Sequence, residues 1–197
     1  MLMDCILAGV GGQGTVLASK LLAGIGMEQG LNVRTAETIG MAQRGGSVMS
    51  HVRMGNDIAS PLIPLGGADL LIGFEPGEAV RHLNYLKPQG VAVVSTMAID
   101  PVTASLGAGA YSGKDMVAYL RSNIEKLITV DAQRICAQAG TAKVLNIALL
   151  GAAVASGALT FSSDQVIAGI KKMVKPEFTD INIAAFHQGL KAAEKTK

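Results

Sequence analysis

Apolar and polar positions in the first part of the chain follow two patterns, one typical of buried strands and one typical of helices. Residues 2–8 form a short apolar run, which predicts a buried strand, and residues 32–37 predict a second strand. Between them, from Thr15 onward, leucine and isoleucine recur at helical spacing until Gly30, which is expected to end the helix. A strand–helix–strand unit with a right-handed crossover makes its two strands parallel.

The middle of the chain continues this alternation of strands and helices. Apolar runs and period-two alternation predict further strands at 47–54, 69–74, 91–95 and 127–130. Helices are expected at 78–86 and 115–125, and a long loop at 98–113. The order predicts an α/β fold: a Rossmann-like, open, mostly parallel sheet with helices on both faces.

Beyond residue 132 the sequence is helical. Four helices are predicted there, at 132–139, 143–157, 163–172 and 182–193. Ser163 is the expected N-cap of the third, because a serine at this position can bond the first free N–H groups of a helix. We therefore predict one domain over residues 1–197 that carries a helical C-terminal segment.

The uncharged stretch 144–161 is long enough to raise the question of a membrane span. Its apolar character comes mostly from alanine and glycine, and Asn146 and Ser156 interrupt it. Small residues on all sides of a helix favour close packing against other protein. We therefore expect this helix in the core or in an interface, and not in a membrane.

Composition narrows the class of protein. Hydrophobic residues make up 49% of the chain and charged residues only 16%, against roughly 25% in an average soluble domain. This shortage of charge favours a surface that is covered in part by another chain, and the alternative interpretation is a dense core. The net charge of +2, without basic stripes, argues against a nucleic acid partner. Two isolated cysteines suit neither a zinc ion nor an iron–sulfur cluster, so no metal site is predicted, and they favour the reducing cytoplasm.

The turn after the first strand is the first candidate site, with the pattern G-x-G-x-x-G between a strand and a helix. Glycines permit close backbone approach, and the helix N-terminus offers N–H groups to an anion. Glu37, at the end of the second strand, lies where a ribose-binding carboxylate is expected. Two interpretations stay open: a dinucleotide site, or a turn whose glycines serve packing alone. The residues concerned are Gly9, Gly11, Gly12, Gln13 and Gly14.

The second candidate site is the glycine-flanked loop before the third strand. An arginine beside two glycines can present its guanidinium next to bare backbone N–H groups, which suits a carboxylate or a phosphate. Three interpretations stay open: an anion site, a solvated surface turn, or a loop that enters a partner subunit with a methionine anchor and an arginine hot spot. The residues concerned are Met41, Gln43, Arg44, Gly45 and Gly46.

No catalytic residue is predicted from the patterns. His51 and Arg53 share one face of the third strand, and Glu75 follows another strand, where α/β sheets hold ligands. A strand histidine is more often a structural hydrogen-bonding group than an acid or base. The chain has no G-x-S-x-G elbow, and Cys5 falls in an apolar strand.

Several segments together resemble a known family. They read GVGGQG at 9–14, GMAQRGGSV at 40–48, SHVR at 50–53 and SPLIP at 60–64. Further matches are Glu75, Glu78 and Arg81. These segments resemble the small (beta) subunit of indolepyruvate:ferredoxin oxidoreductase and the gamma subunit or domain of the pyruvate, ketoisovalerate and 2-oxoglutarate enzymes. The resemblance covers nearly the whole chain, and the stretch 41–53 favours the arylpyruvate branch.

This resemblance implies a division of labour. In the family, thiamine diphosphate and iron–sulfur clusters lie in the partner polypeptide, where a 2-oxoacid is decarboxylated. Electrons pass to ferredoxin, and the acyl group leaves on coenzyme A. The chain is thus expected to be a non-cluster subunit to which no cofactor is assigned. It is expected to be inactive alone and to work with a large catalytic subunit.

The resemblance also adds coenzyme A to the ligands considered for the glycine-rich turn. The alternative is a freestanding NAD(P)- or nucleotide-binding oxidoreductase that uses Gly9, Gly11, Gly14 and Glu37. A third class is a scaffold or regulatory protein, which would associate with partners lacking thiamine and clusters.

Overall fold

Six strands form one sheet in the computed structural model, which describes residues 2–39, 45–101 and 111–194. The strands are β1 (Leu2–Val10), β2 (Asn32–Ile39), β3 (Ser47–Gly55), β4 (Ala68–Gly73), β5 (Leu86–Ser95) and β6 (Lys126–Val130). Their order across the sheet is β2-β3-β1-β4-β5-β6. The pairs β1–β4, β4–β5 and β5–β6 are parallel, whereas β3 is antiparallel to both β1 and β2. The predicted α/β class with a mostly parallel sheet is confirmed.

Strand β3 changes the simple crossover that the sequence predicts. β1 and β2 point in the same direction, as expected, but they are not neighbours because β3 lies between them. β3 pairs with β1 along its whole length, from Leu2 opposite Gly55 to Val10 opposite Ser47. The start of β3 is therefore brought to the carboxyl end of β1, where the glycine-rich turn begins.

The described residues also form seven helices. They are α1 (Thr15–Glu28), α2 (Pro76–Arg81), α3 (Gly113–Asn123), α4 (Ala132–Ala139), α5 (Leu145–Ala155), α6 (Ser163–Met173) and α7 (Pro176–Glu194). Short 3-10 turns at Leu83–Tyr85 and Ala142–Val144 precede β5 and α5. Helix α2 and the first of these turns replace the single helix predicted at 78–86. The C-terminal helical segment is present as predicted.

Some boundaries differ from the predicted ones. The N-cap of α6 is Ser162 and not Ser163: its hydroxyl accepts the Gln165 N–H at 3.3 Å, and the Gln165 side chain accepts the Ser162 N–H at 2.8 Å. Helix α7 begins at Pro176, well before the predicted start, because proline suits a first helical turn, where an N–H has no partner. Much of the predicted loop 98–113 lies outside the described residues.

Side chains of the strands alternate between the two faces of the sheet and build two hydrophobic clusters. On β1, Cys5 and Leu7 belong to the larger cluster, and Ile6 and Ala8 to the smaller one. Helices α1, α4, α5, α6 and α7 contribute to the larger cluster, and α2 and α3 to the smaller. Helices therefore cover both faces, as predicted.

Helix α5 is almost wholly buried, with nine of its 11 residues in the buried class. Helix α7 crosses it at two glycines. A Cβ at Gly151 would overlap the carbonyl oxygen of Phe186, and one at Gly189 would overlap the carbonyl oxygen of Ala148. The uncharged stretch thus packs against protein, as predicted. No helix in the described ranges is long and apolar enough to cross a membrane.

Candidate functional site

The glycine-rich turn joins the carboxyl end of β1 to α1. Two of its glycines have φ angles that other residues rarely adopt, +104° at Gly12 and +82° at Gly14. A Cβ at Gly9 would stand 2.8 Å from Phe74 Cβ, and one at Gly14 would stand 2.9 Å from Asn146 Nδ2. A Cβ at Gly12 would meet no described atom within 4 Å apart from its chain neighbours. Packing therefore requires Gly9 and Gly14, whereas Gly12 borders open space.

Gln13 fastens this turn to the end of the neighbouring strand β4. Its Oε1 accepts the Val10 N–H at 2.7 Å, and its Nε2 donates to the carbonyl oxygen of Phe74 at 3.0 Å. On the other side of the turn, Asn146 of α5 donates from Nδ2 to the carbonyl oxygen of Gly14 at 3.4 Å. The amide of Gln13 is thus used at both ends to shape the turn.

The N-terminus of α1 faces a cavity of about 500 Å³. Its lining residues come from the end of β1, the turn, the start of α1 and β3: Val10, Gly11, Gly12, Gly14, Thr15, Val16 and Val48. Gly14 occupies the N-cap position and has no side chain to bond the first N–H groups of the helix. The buried Thr15 hydroxyl has no hydrogen-bond partner among the described residues. Backbone N–H groups at the start of a helix, beside open space, suit an anion such as phosphate, whereas the Thr15 hydroxyl oxygen is itself buried.

The end of the second candidate site contacts the first. The Gly11 N–H donates to the carbonyl oxygen of Gly46 at 2.8 Å, and the Gly45 N–H donates to the carbonyl oxygen of Gly11 at 3.5 Å. These bonds follow from the register of β3, which places Ser47 opposite Val10. The other members of this site lie outside the described residues: Met41, Gln43 and Arg44.

A polar cluster that no spacing pattern predicts lies beside Ser47. The buried carboxylate of Glu78 accepts a hydrogen bond from Ser47 Oγ at 2.5 Å. Arg81 Nε lies 3.2 Å from Glu78 Oε1, and His82 Nε2 lies 3.7 Å from Glu78 Oε2. Burial acts to raise the pKa of Glu78, but the neighbouring His82 ring, the hydrogen bond from Ser47 and the Arg81 charge together lower it below its ordinary value. Glu78 therefore stays ionised despite its burial.

Glu75 is a second buried carboxylate, placed directly after β4 and Phe74. One oxygen accepts the Glu78 N–H at 2.9 Å and so caps α2, and the other accepts the hydroxyl of Tyr111. The Gly77 N–H donates to the same phenol oxygen at 3.1 Å. Burial and this bond to Glu75 raise the pKa of Tyr111. Pro76 is the sequence signal that could indicate the start of α2, since proline favours the first position of a helix.

His51 and Arg53 share one face of β3, as predicted, and both are engaged within the fold. His51 Nδ1 accepts the Ile63 N–H at 3.1 Å. Burial, followed by the charges of His82 and Arg53, lowers the His51 pKa. Arg53 bonds both carboxylate oxygens of Asp4, at 2.8 and 3.1 Å, and donates to two carbonyl oxygens of the loop before β4.

Glu37 lies away from the glycine-rich turn. It is opposite Ser50 of β3, which is opposite Leu7 of β1, so two strand spacings, roughly 9–10 Å, separate it from β1. Its carboxylate accepts a hydrogen bond from Ser19 Oγ at 3.1 Å. It does not take the position beside β1 that a ribose-binding carboxylate needs, because β3 occupies that position. In the described part of the chain, no three metal-ligating side chains of histidine, cysteine, aspartate or glutamate lie together.

The fold is similar to that of solved oxidoreductase structures. One is the gamma subunit of a keto/oxoacid ferredoxin oxidoreductase from Geobacter sulfurreducens, with a TM-score of 0.71 and 22% identity over 98% of this chain and 99% of that chain. Another is the 2-oxoglutarate:ferredoxin oxidoreductase from Magnetococcus marinus with 2-oxoglutarate, coenzyme A and succinyl-CoA bound. There the TM-score is 0.73 and the identity 18%, over 98% of this chain and 31% of that longer chain. The fold is thus that of a gamma-type subunit or domain.

Sequence comparison identifies the family. Residues 4–192 match the family model of pyruvate ferredoxin/flavodoxin oxidoreductase. The indolepyruvate oxidoreductase subunit IorB of Archaeoglobus fulgidus is 37% identical over 194 residues, which cover 98% of this chain and 96% of the relative. The chain therefore belongs to the pyruvate ferredoxin/flavodoxin oxidoreductase family. The predicted class of protein, a subunit of a 2-oxoacid:ferredoxin oxidoreductase, is confirmed, and the freestanding NAD(P)-dependent enzyme is not supported.

Proposed function

We propose that the chain is the non-cluster subunit of an indolepyruvate-type enzyme and supports the coenzyme A-dependent oxidative decarboxylation of arylpyruvates, with ferredoxin as electron acceptor. The 37% identity with an indolepyruvate subunit supports this branch, since identity with the oxoacid and 2-oxoglutarate structures is 22% and 18%. In this proposal the chain works in the cytoplasm within a hetero-oligomer and is inactive alone.

The redox chemistry is assigned to a large catalytic partner that holds thiamine diphosphate and the iron–sulfur clusters. This chain does not fit a cluster of its own. It has two cysteines, and they are buried in separate elements, Cys5 in β1 and Cys136 in α4. A cluster needs several thiolates at one place. Ferredoxin would receive its electrons from the partner and not from this chain.

The glycine-rich turn is proposed to bind phosphate groups of coenzyme A. One observation carries this assignment: the start of α1, whose N-cap Gly14 has no side chain to bond its first N–H groups, and the open side of Gly12 border the same cavity. Backbone N–H groups at a helix N-terminus are well suited to phosphate. The bound coenzyme A of the Magnetococcus enzyme supports the choice of ligand, since that protein contains the same fold.

The subunit role is tested by anaerobic purification of the tagged chain from its native host, with mass spectrometry and a viologen-reduction assay on the eluate. We expect a large thiamine- and cluster-containing subunit and indolepyruvate oxidation that depends on coenzyme A. Recovery of the chain alone, with a thermal midpoint raised by NAD or NADP, would contradict the proposal.

The coenzyme A site is tested with Gly12→Ala, and Gly30→Ala is the matched control. Both glycines have positive φ, and a Cβ at either would meet no described atom within 4 Å, so each substitution costs about 1–2 kcal/mol of stability. Of these two glycines, only Gly12 lines the cavity. We expect Gly12→Ala to raise the KM for coenzyme A about tenfold in the assembled enzyme, equivalent to about 1.4 kcal/mol of binding. Equal KM values for the two variants would contradict the assignment.

The loop that carries Met41, Gln43 and Arg44 is proposed to face the partner or the mouth of its active site. The contacts of Gly45 and Gly46 with the glycine-rich turn support this, since they put the end of the loop beside the candidate site. Arg44→Ala is expected to lower complex yield or turnover without changing the thermal midpoint of the chain. The exposed Arg121 on α3 provides the control substitution. Unchanged yield and unchanged turnover for Arg44→Ala would refute the role.

A further inference from the structure

We propose that the first turn of α2 couples the start of β3 to the start of α3, and that Glu75 and Glu78 are positioning residues for the candidate site. Neither carboxylate is placed to touch a ligand in the cavity. Each acts through a hydroxyl on another segment, Glu78 through Ser47 and Glu75 through Tyr111. The proposal rests on the proposed function in one respect, because it takes the glycine-rich turn as the ligand site.

The first link joins Glu75 to the segment before α3. The Tyr111 hydroxyl donates to Glu75 Oε1 and accepts the Gly77 N–H at 3.1 Å. A Cβ at Gly77 would stand 2.9 Å from that phenol oxygen, so a glycine is needed for the ring to approach. Tyr111 thus contacts both the cap of α2 and the backbone of its first turn.

The second link joins Glu78 to the start of β3. Ser47 Oγ donates to Glu78 Oε2 at 2.5 Å and lies 3.5 Å from His82 Nε2. Glu75 Oε2 accepts the Glu78 N–H at 2.9 Å, so the two carboxylates are joined through one residue of the backbone. Glu75 and Glu78 therefore form a continuous hydrogen-bonded connection between Tyr111 and Ser47.

A third link ties this turn to the glycine-rich turn. Phe74, the residue before Glu75, accepts Gln13 Nε2 at its carbonyl oxygen and donates its N–H to the carbonyl oxygen of Ala8 at 2.8 Å. Ser47 is opposite Val10, at the point where the glycine-rich turn begins. The start of β3, the turn and the start of α3 thus all depend on the geometry of residues 74–78.

The charges in this turn argue for a role beyond packing. Glu75 is 3% exposed and Glu78 7% exposed, and two buried carboxylates so close together are costly unless they are fully hydrogen-bonded. The donors that bond them include the neutral hydroxyls of Ser47 and Tyr111, and the Arg81 side chain beside Glu78 is itself largely exposed. A fully bonded polar network of this kind specifies one arrangement of the segments that it joins.

The test is a double-mutant cycle of Ser47→Ala and Tyr111→Phe, with Ser122→Ala and Tyr119→Phe on the exposed side of α3 as matched controls. In the full chain, Tyr111→Phe is expected to accelerate amide hydrogen exchange at residues 47–49 by about threefold, because the coupled unit opens more often. In the assembled enzyme, each single variant raises the KM for coenzyme A, and the double variant is no worse than the more affected single one. The turnover number stays unchanged, since neither residue touches the reacting atoms.

Exchange at residues 47–49 no faster in Tyr111→Phe than in Tyr119→Phe would overturn the coupling. Effects on KM that multiply in the double variant would overturn it as well, because independent residues give additive free energies. Faster exchange with an unchanged KM would leave the coupling intact and count against the coenzyme A site instead. Glu78→Gln, which removes the charge and keeps the shape, is expected to reproduce the effect of Ser47→Ala.

Discussion

Strands β1 and β3 pair over their full length, and the two ends of this pair differ in whether their polar groups are hydrogen-bonded within the chain. At one end Asp4 is opposite Arg53, and the guanidinium bonds both oxygens of the carboxylate. At the other end Val10 is opposite Ser47, and the adjoining turn leads to the start of α1, where Gly14 has no side chain to bond the first N–H groups and a cavity lies alongside. The first end is complete by itself, whereas the second has hydrogen-bonding capacity left for another molecule.

This difference separates polar residues that hold the fold from polar groups that remain available to a ligand. Judged by residue type alone, Arg53 is as good a candidate for anion binding as Arg44. Its Nε, Nη1 and Nη2 atoms, however, all donate to Asp4 or to loop carbonyl oxygens. A binding site is therefore better recognised by unsatisfied donors beside open space than by the presence of charge.

The largest expected effect on stability is at the end of the β1–β3 pair that holds the Asp4–Arg53 ion pair. Asp4→Ala leaves the guanidinium of Arg53 largely buried without its carboxylate, so we expect a loss of about 3–5 kcal/mol in the free energy of unfolding. Urea denaturation of the full chain measures this loss. Asp180→Ala, at an exposed position on α7, serves as the control and should change stability by less than about 0.5 kcal/mol. Similar losses in both variants would show that the ion pair does not stabilise this end.

A smaller effect on stability, of opposite sign, is expected at the other end of the pair, next to the glycine-rich turn. Thr15→Val keeps the shape of the side chain and removes a buried hydroxyl that lacks a partner among the described residues, so stability should rise by up to about 1 kcal/mol. Ser50→Ala provides a second case, because its hydroxyl is also buried and unsatisfied within the described ranges, and it should change stability in the same direction. A loss of stability in Thr15→Val would mean that the hydroxyl already has a partner.

The smallest expected effect is a difference in pH dependence between His51, in the middle of the β1–β3 pair, and Glu78, beside Ser47 at one end of it. Folding lowers the pKa of His51 below its ordinary value of 6.5, so its contribution to stability is present above that pH and is lost as the pH falls below it. The contribution of Glu78 is lost only as the pH falls below 4.5, since its pKa is lowered from that value. Between pH 7 and pH 5, wild-type protein should therefore lose more unfolding free energy than His51→Asn. Denaturation curves that give the same change in unfolding free energy for wild type and His51→Asn over this range would contradict the assignment.

The sequence patterns predict the class of fold because strands and helices leave local signals, such as the apolar run of β1 and the helical spacing of α1. The insertion of β3 between β1 and β2 leaves no such signal, because pairing partners are chosen by contacts distant in the chain. This insertion moves Glu37 away from the turn and brings Gly46 onto Gly11. The glycine-rich turn could thus be predicted, but not its neighbours.

The polar cluster around α2 could not be predicted from the sequence for a related reason. Ser47, Glu78 and Tyr111 come from three separate segments, and hydrogen bonds between such segments follow no period along the chain. Resemblance to the family marked Glu78 without explaining it. Its partners are determined by the register of β3 and the position of α2, which no local sequence pattern specifies.

The crossing of α5 and α7 has a consequence for synthesis on the ribosome. Ala148 packs against Gly189, and Phe186 and Ala193 of α7 belong to the same cluster as Leu149. A nascent chain that has released α5 but not yet α7 exposes an apolar helix that water cannot solvate well, and such intermediates aggregate readily. Chaperone demand should therefore rise once α5 has left the exit tunnel and fall once α7 has followed it.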